Sequence, residues 1–121
     1  MCYHLVVDSL PLPVAKQYED ASGKSPYAKW FDDLNAPAAA KITKAIARME
    51  QGNFSNATGV GAGVHEYTID FGPGYRVYFG KEGEEIIILL GGGSKKRQQK
   101  DIDVAIERWR DYKQRKKQGE K

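Results

Sequence analysis

Residues 61–80 of the chain read GAGVHEYTIDFGPGYRVYFG, and this stretch decides the fold. Val64–Phe71 and Tyr75–Phe79 are rich in the aromatic and β-branched residues that favour strands. Between them, Gly72-Pro73-Gly74 is a combination typical of a turn. The sequence therefore predicts a β-hairpin.

The predicted hairpin has one apolar face and one polar face, because side chains alternate along a strand. With a three-residue loop, Asp70 is expected opposite Arg76, and Thr68 opposite Tyr78. The apolar face carries Tyr67, Ile69, Phe71, Tyr75, Val77 and Phe79. The polar face carries Glu66, Thr68, Asp70, Arg76 and Tyr78. The apolar face is predicted to join the core, and the polar face offers a rigid surface on which a site could be built.

Two helices are predicted upstream of the hairpin. Ser25-Pro26 supplies a capping serine followed by proline at the first helical position. Asn35-Ala36-Pro37 ends this helix and begins a second, which Gly52 stops. Their apolar residues at helical spacing are Tyr27, Trp30, Phe31 and Leu34, and then Ala38, Ile42, Ala45, Ile46 and Met49. The short connection predicts a packed helical hairpin, and residues 53–62 are predicted to form a loop.

The segment after the hairpin predicts one more strand and one more helix. Ile86–Leu90 is apolar on both faces, as in a strand covered on both sides. Gly91-Gly92-Gly93 is expected to end this strand, either as a flexible terminus or as backbone donors for an anion. In the final helix, the inward residues are Ile102, Ala105, Ile106, Trp109 and Tyr112. With a weak strand at Val14–Tyr18, the prediction is an α+β fold: a small, mixed, mostly antiparallel four-stranded sheet with an N-terminal helical hairpin and a C-terminal helix.

Size and composition indicate one globular domain. We assign residues 1–12 to an N-terminal extension and residues 13–121 to a single domain with a basic C-terminal tail. Cys2 is the single cysteine, which excludes an internal disulfide and fits a reducing cytoplasm. The chain has two histidines, so no metal site and no cofactor are expected. No apolar run approaches the roughly 20 residues that span a bilayer, so no membrane contact is expected.

Positive charge is concentrated in the C-terminal quarter of the chain. Residues 94–121 contain 11 Lys or Arg against 5 Asp or Glu, whereas residues 1–93 carry a net charge of −3. A basic stripe of this kind suits a phosphate backbone. The alternative is a solvated tail, above all over residues 113–121.

The residues of the polar face match the chemistry of a metal-independent ribonuclease, in which the ribose 2′-oxygen attacks the adjacent phosphorus. Arg76 and Lys95 are candidates to stabilise the developing negative charge. Glu66 and Tyr78 are candidates to move the 2′-hydroxyl proton. Further candidate RNA- or phosphate-binding residues are Lys96, Arg97, Gln98 and Thr68. The alternative is that Arg76 and Asp70 form only a cross-strand ion pair and that the lysines and arginine at 95–97 are ordinary surface residues.

Several motifs carry a resemblance to a known family. They are Gly23-Lys24-Ser25-Pro26-Tyr27 with Trp30 and Leu34, Gly52-Asn53-Phe54, residues 70–80, and Gly92-Gly93 with Lys95, Gln98, Asp101-Ile102, Ala105 and Trp109. The chain resembles the Gp49-like group of RelE/HigB-type toxins, the addiction module killer proteins of bacterial type II toxin–antitoxin systems. The resemblance implies a RelE-like fold and a cytoplasmic toxin that inhibits translation by cleaving mRNA, free or on the ribosome. It also implies a cognate helix-turn-helix antitoxin. The family's strand arginine falls on Arg76, and its basic residue after the last strand falls on Lys95.

Two positions depart from the family pattern. Thr68 replaces the arginine of a usual Glu-Leu-Arg-Ile-Asp, and Ser94 replaces the acid of a usual Gly-Gly-Asp-Lys. A charge contact to a scissile phosphate is worth several kcal/mol in the transition state. The resemblance therefore implies an endoribonuclease weakened by Thr68, or an inactive relative that binds antitoxin or RNA. A gyrase-targeting toxin is a more distant alternative, because such toxins have a related fold.

Overall fold

A computed structural model describes residues 12–119, which form an α+β fold around one five-stranded mixed sheet. The strands are β1 (Val14–Gln17), β2 (Ala57–Gly61), β3 (Val64–Ile69), β4 (Tyr75–Glu82) and β5 (Ile86–Ser94). The helices are α1 (Pro26–Asp32), α2 (Ala36–Glu50) and α3 (Gln98–Gly119), with a 3₁₀ turn at Lys95–Arg97. The sheet order is β1-β5-β4-β3-β2; β1 runs parallel to β5, and the other neighbours are antiparallel. Apart from Leu12, the predicted N-terminal extension lies outside the described residues.

The predicted four-stranded sheet is wrong by one strand. Residues 57–61, which we expected in a loop, form β2 and pair with β3 as Ala57 to Tyr67 and Thr58 to Glu66. The segment ATGVG contains two glycines and one large apolar residue, so neither its propensity nor its alternation resembles a strand. It becomes a strand because β3 offers it an unpaired edge.

In residues 12–119, no helix combines the length and apolar character that crossing a membrane requires.

Both predicted helix starts are confirmed. The Ser25 hydroxyl accepts a hydrogen bond from the Ala28 N–H at 3.0 Å, and the Asn35 side chain accepts one from the Ala38 N–H at 2.9 Å. The predicted helical hairpin is wrong, because the two helices pack on different parts of the sheet: α1 lies along β5, and α2 lies against β3 and β1. The sheet, rather than the partner helix, is therefore the main packing surface of each helix.

Helices cover both faces of the sheet, so there are two cores. The first core, under α1 and α2, contains Tyr27, Ile42, Met49, Tyr67, Val77, Phe79 and Leu89. The second core, under α3, contains Tyr18, Val64, Tyr78, Ile88, Leu90, Ile102, Ala105 and Trp109. The polar face of the hairpin, predicted as a rigid surface for a site, is consequently covered in part by a helix. Helix α3 crosses it and buries Tyr78 completely, whereas Thr68 and Arg76, closer to the hairpin turn, stay partly exposed; we call this end the opening of the polar face.

The register of the hairpin differs from the prediction by two residues. Thr68 pairs with Arg76, and Glu66 pairs with Tyr78. Asp70 lies beyond the strand, exposed, so the predicted opposition of Asp70 and Arg76 is wrong. The loop spans residues 70–74, where the Gly74 N–H donates to the Phe71 carbonyl at 2.9 Å. A slip of two residues keeps every side chain on its face, and therefore the polar face keeps the predicted members that remain in the strands.

The glycines of β5 belong to the strand interior, so their interpretation as a flexible terminus is wrong. They let the side chains of Trp30, Asp101 and Arg108 approach the backbone of the strand closely. A Cβ atom built on Gly92 would overlap the ring of Trp30, and one on Gly91 would lie 2.6 Å from Nη1 of Arg108. The corresponding position on Gly93 is occupied by the Asp101 carboxylate. The glycines therefore bring α1 and α3 against the strand.

Gly80 of β4 gives a test of such close packing. A Cβ atom there would lie 2.5 Å from the ring of Trp109, which is itself buried. We expect Gly80→Ala to lower the free energy of unfolding by about 1–3 kcal/mol, because the ring cannot move away without disturbing the second core. Urea denaturation measures the change. Gly59→Ala in β2 is the matched control, since nothing lies within 4 Å of its added carbon; equal losses for both variants would contradict the packing.

Candidate functional site

A buried carboxylate organises the polar face of the hairpin. Glu66 of β3 is 6% exposed, and its Oε2 lies 3.4 Å from Nε of Arg76 on β4. The side-chain amide of Gln98, at the start of α3, donates to both carboxylate oxygens at 3.1 and 3.0 Å. Three separate elements thus fix one carboxylate, and the carboxylate in turn holds the arginine.

Arg76 keeps most of its donors available. Its Nε faces Glu66 without a well-aligned hydrogen bond, and its Nη atoms make no hydrogen bond within residues 12–119. The side chain is 12% exposed, at the opening of the polar face. A guanidinium held on one side by a carboxylate, with its fork free, is suited to bind a phosphate through two parallel hydrogen bonds.

Thr68 lies directly opposite Arg76 on the neighbouring strand and is half-buried. Its backbone N–H donates to the Asn56 carbonyl at 3.2 Å, so the strand is anchored at this point. Directly opposed side chains have Cβ atoms about 5 Å apart. A long cationic side chain at position 68 would therefore reach the same opening as Arg76.

The basic residues after β5 divide between two places. The Lys95 N–H donates to the Gly74 carbonyl at 3.3 Å, which holds Lys95 beside the hairpin turn at the end of the sheet where Arg76 opens. Arg97 instead lines a cavity between α1 and α3. Lys96, between them, is exposed. Of the predicted site residues, the structure brings together Glu66, Arg76, Thr68, Gln98 and Tyr78, with Lys95 at the rim.

Tyr78 lies beneath this cluster. It pairs with Glu66 across the strands, is fully buried, and its hydroxyl has no hydrogen-bond partner within residues 12–119. Burial, and next the negative charge of Glu66, raise the pKa of the Tyr78 phenol. The phenol therefore stays protonated near neutral pH, so Tyr78 is suited to donate a hydrogen bond and unsuited to accept a proton as phenolate.

Removing the Tyr78 hydroxyl tests its unpartnered state. We expect Tyr78→Phe to change the free energy of unfolding by less than about 1 kcal/mol, or to raise it, because no hydrogen bond is lost and a buried polar group is removed. Tyr18→Phe is the control: the Tyr18 hydroxyl donates to Asp111 at 2.7 Å, so its loss is expected to destabilise by about 1–2 kcal/mol. Thermal denaturation of the two variants decides; a larger loss for Tyr78→Phe would contradict the unpartnered hydroxyl.

Our reasoning from sequence missed two features. It assigned Gln98 to phosphate, whereas the structure places its amide on Glu66. It also missed the cavity of about 340 Å³ at the edge of β5, to which Trp30, Asp101 and Arg108 contribute. The available signal was the triple glycine, since glycines within a strand often mark the close approach of another group.

Comparison with known proteins identifies a relative of the chain. No protein-family model matches the chain. An uncharacterized protein of Haemophilus influenzae is 42% identical to it over 80 residues, which are 65% of this chain and 81% of the Haemophilus protein. Identity of that level over most of the relative's length shows common descent, and the chain therefore belongs to the same family as this Haemophilus protein.

Proposed function

We propose that the chain is the toxin of a type II toxin–antitoxin system, of the RelE/HigB type, and that it inhibits translation by cleaving mRNA without a metal ion. The observation that carries the proposal is the cluster of Arg76, Glu66 and Gln98 at the opening of the polar face. It supplies a fixed guanidinium and a fixed carboxylate whose nearest atoms lie 3.4 Å apart. The motifs shared with that toxin family supply the biological setting.

In the proposed reaction, the Arg76 fork binds the non-bridging oxygens of the scissile phosphate. Glu66 accepts the proton of the 2′-hydroxyl as the 2′-oxygen forms a bond to phosphorus. The bond from phosphorus to the 5′-oxygen breaks, and that oxygen takes a proton from water. The products are a 2′,3′-cyclic phosphate and a free 5′-hydroxyl. Lys95 at the rim adds positive charge for the phosphate backbone.

The remaining elements of the proposal concern partners and location. The proposed partners are mRNA, free or on the ribosome, and a cognate helix-turn-helix antitoxin; the proposed location is the cytoplasm, with no membrane contact. An antitoxin segment with acidic side chains would complement the basic 94–121 region. The RelE-like fold is part of the same proposal and is consistent with the order of helices and strands.

Product chemistry tests the proposal. The purified chain, incubated with mRNA in EDTA with and without ribosomes, is expected to leave 2′,3′-cyclic phosphate and 5′-hydroxyl ends. Sequencing by ligation that depends on these termini reads them directly. Cleavage that requires added Mg²⁺, or that leaves 5′-phosphate ends, would contradict the mechanism.

The second candidate function is an inactive family member that binds antitoxin or RNA. Thr68 favours it, because the residue opposite Arg76 is uncharged at the position where the family carries an arginine. The two candidates make different predictions for a restored arginine.

We expect Thr68→Arg to raise the rate of RNA cleavage by about tenfold or more, since a second guanidinium would reach the phosphate. Single-turnover kinetics on one defined mRNA measure the rate. Thr43→Arg, exposed on α2, is the control for added charge. Cleavage by Thr68→Arg but not by the natural chain would favour the second candidate, an inactive family member. A rate that Thr68→Arg leaves unchanged would show that the lack of a cation at position 68 does not limit cleavage.

A further inference from the structure

The cavity at the edge of β5 has the features of a built binding site. Strand β1 pairs with β5 only as far as Leu89, so residues 91–94 of β5 pair with a strand on one side alone within residues 12–119. The cavity of about 340 Å³ lies against this free edge, between α1 and α3. The bases of nucleic acids are small enough to enter a space of this size.

Polar groups in the cavity wall lack partners. The buried hydroxyl of Tyr78, which lines the cavity, has no hydrogen-bond partner within residues 12–119. The Asp101 carboxylate, also in the wall, makes no hydrogen bond or ion pair within the described part of the chain. Burial raises the pKa of this carboxyl, and the charges of Arg97 and Arg108 oppose that rise. A bound ligand that donates to the Asp101 carboxylate would supply the partner that it lacks.

The composition of the wall selects the kind of ligand. Trp30 contributes an indole ring, which packs directly against the backbone of Gly92 because glycine has no side chain there. Asp101 contributes acceptors, and Arg97 and Arg108 contribute donors. Nη1 of Arg108 donates to the Leu90 carbonyl at 2.8 Å, and the other N–H groups of Arg108 are available to a ligand within residues 12–119. Lys29 and Asp33 also line the cavity, so its wall mixes three cations with two carboxylates. A ligand that offers both donors and acceptors suits such a wall better than a simple ion does.

A guanine base offers partners to Asp101, to the arginines and to the indole ring. Its N1–H and N2–H₂ donate in parallel, as a carboxylate requires, and its O6 and N7 accept from arginine. Aromatic side chains and guanidinium planes stack on unpaired bases of single-stranded RNA. Adenine lacks the pair of donors for the carboxylate, and the pyrimidines offer less surface for the indole.

We propose that this cavity binds an unpaired guanine base of the RNA, with Asp101 accepting from the base and Arg97 and Arg108 donating to it. The inference rests on the proposed function, and it adds a base preference to it. Tyr78 is part of both places: it pairs with Glu66 across the strands and lines the guanine cavity. A guanine in the cavity would thus sit close to the phosphate bound by Arg76.

Binding of single nucleotides tests the guanine cavity without requiring cleavage. The four ribonucleoside 3′-monophosphates are titrated into the full chain, and calorimetry gives their dissociation constants. We expect the guanosine nucleotide to bind at least about tenfold more tightly than the other three. In ¹H–¹⁵N spectra, the indole signal of Trp30 is expected to shift, while that of Trp109, in the second core, stays in place.

Matched variants locate the binding. Asp101→Asn is expected to weaken guanosine binding at least about tenfold. Asp103→Asn, two residues further along α3 and exposed, is expected to leave it unchanged. Arg97→Gln, on an exposed side chain that need not disturb folding, is expected to weaken binding, with Arg110→Gln as its control.

Equal binding of the four nucleotides, full competition by inorganic phosphate, or no effect of Asp101→Asn would each overturn the guanine cavity. Guanosine binding without any RNA cleavage would contradict the ribonuclease and leave the cavity standing. RNA cleavage without guanosine binding would contradict the guanine cavity and leave the ribonuclease standing.

Discussion

Arg76→Ala is expected to lower the rate of RNA cleavage by about 10²–10³-fold, the usual cost of removing one positioned donor from a developing oxyanion. The guanidinium is the only group at the opening that is both fixed by a carboxylate, at 3.4 Å, and free at its fork within residues 12–119. Single-turnover kinetics at saturating enzyme separate this loss from weaker RNA binding. Arg76→Lys keeps the charge and loses the fork, so its cleavage rate is expected to lie between those of Arg76→Ala and the natural chain.

The control for Arg76→Ala is Arg110→Ala, on the exposed side of α3. It removes the same charge from the protein and is expected to change the rate less than about threefold. Circular dichroism must show that both variants are folded. Cleavage by Arg76→Ala at a rate close to that of the natural chain would remove Arg76 from the proposed chemistry.

Glu66→Ala is expected to lower the free energy of unfolding by about 3–5 kcal/mol. The substitution leaves the partly buried Arg76 without its counter-charge, and it leaves the Gln98 amide without the two acceptors at 3.1 and 3.0 Å. The carboxylate side chain is 8% exposed, so water cannot readily replace it. Urea denaturation at neutral pH measures the loss.

Glu82→Ala is the matched control for Glu66→Ala. Glu82 also pairs with a cation, Lys116 at 2.6 Å, but on the surface, where the two side chains are 21% and 42% exposed. An exposed pair contributes less than about 1 kcal/mol. Equal losses for the two variants would show that Glu66 is not the buried organiser of the polar face.

Local signals in the sequence predicted the helices well. The side-chain caps of Ser25 and Asn35 form as expected, because a cap depends on residues three positions apart. The hairpin was predicted with its faces correct and its register wrong. Glycine at both ends of Gly72-Pro73-Gly74 suggested a three-residue loop, whereas Asp70 and Phe71 also leave the strand. Turn signals fix where a hairpin bends better than they fix which residues pair.

Non-local packing explains the predictions that failed. Residues 57–61 have little strand character of their own and form β2 only against the edge of β3. The role of Gly91-Gly92-Gly93 depends on Trp30, Asp101 and Arg108, which are distant in the sequence. The polar residues of the candidate site could be named from alternation alone. Their burial under α3 could not, since nothing in the hairpin shows where α3 lies.

Protein synthesis after induction of the chain tests the central claim most directly. Cells are induced to express the natural chain without an antitoxin, or its Arg76→Ala variant at equal level, and incorporation of a radiolabelled amino acid is followed. Incorporation is expected to stop with the natural chain and to continue with Arg76→Ala. Undiminished incorporation with the natural chain, or arrest that persists in Arg76→Ala, would contradict a toxin whose chemistry resides at Arg76.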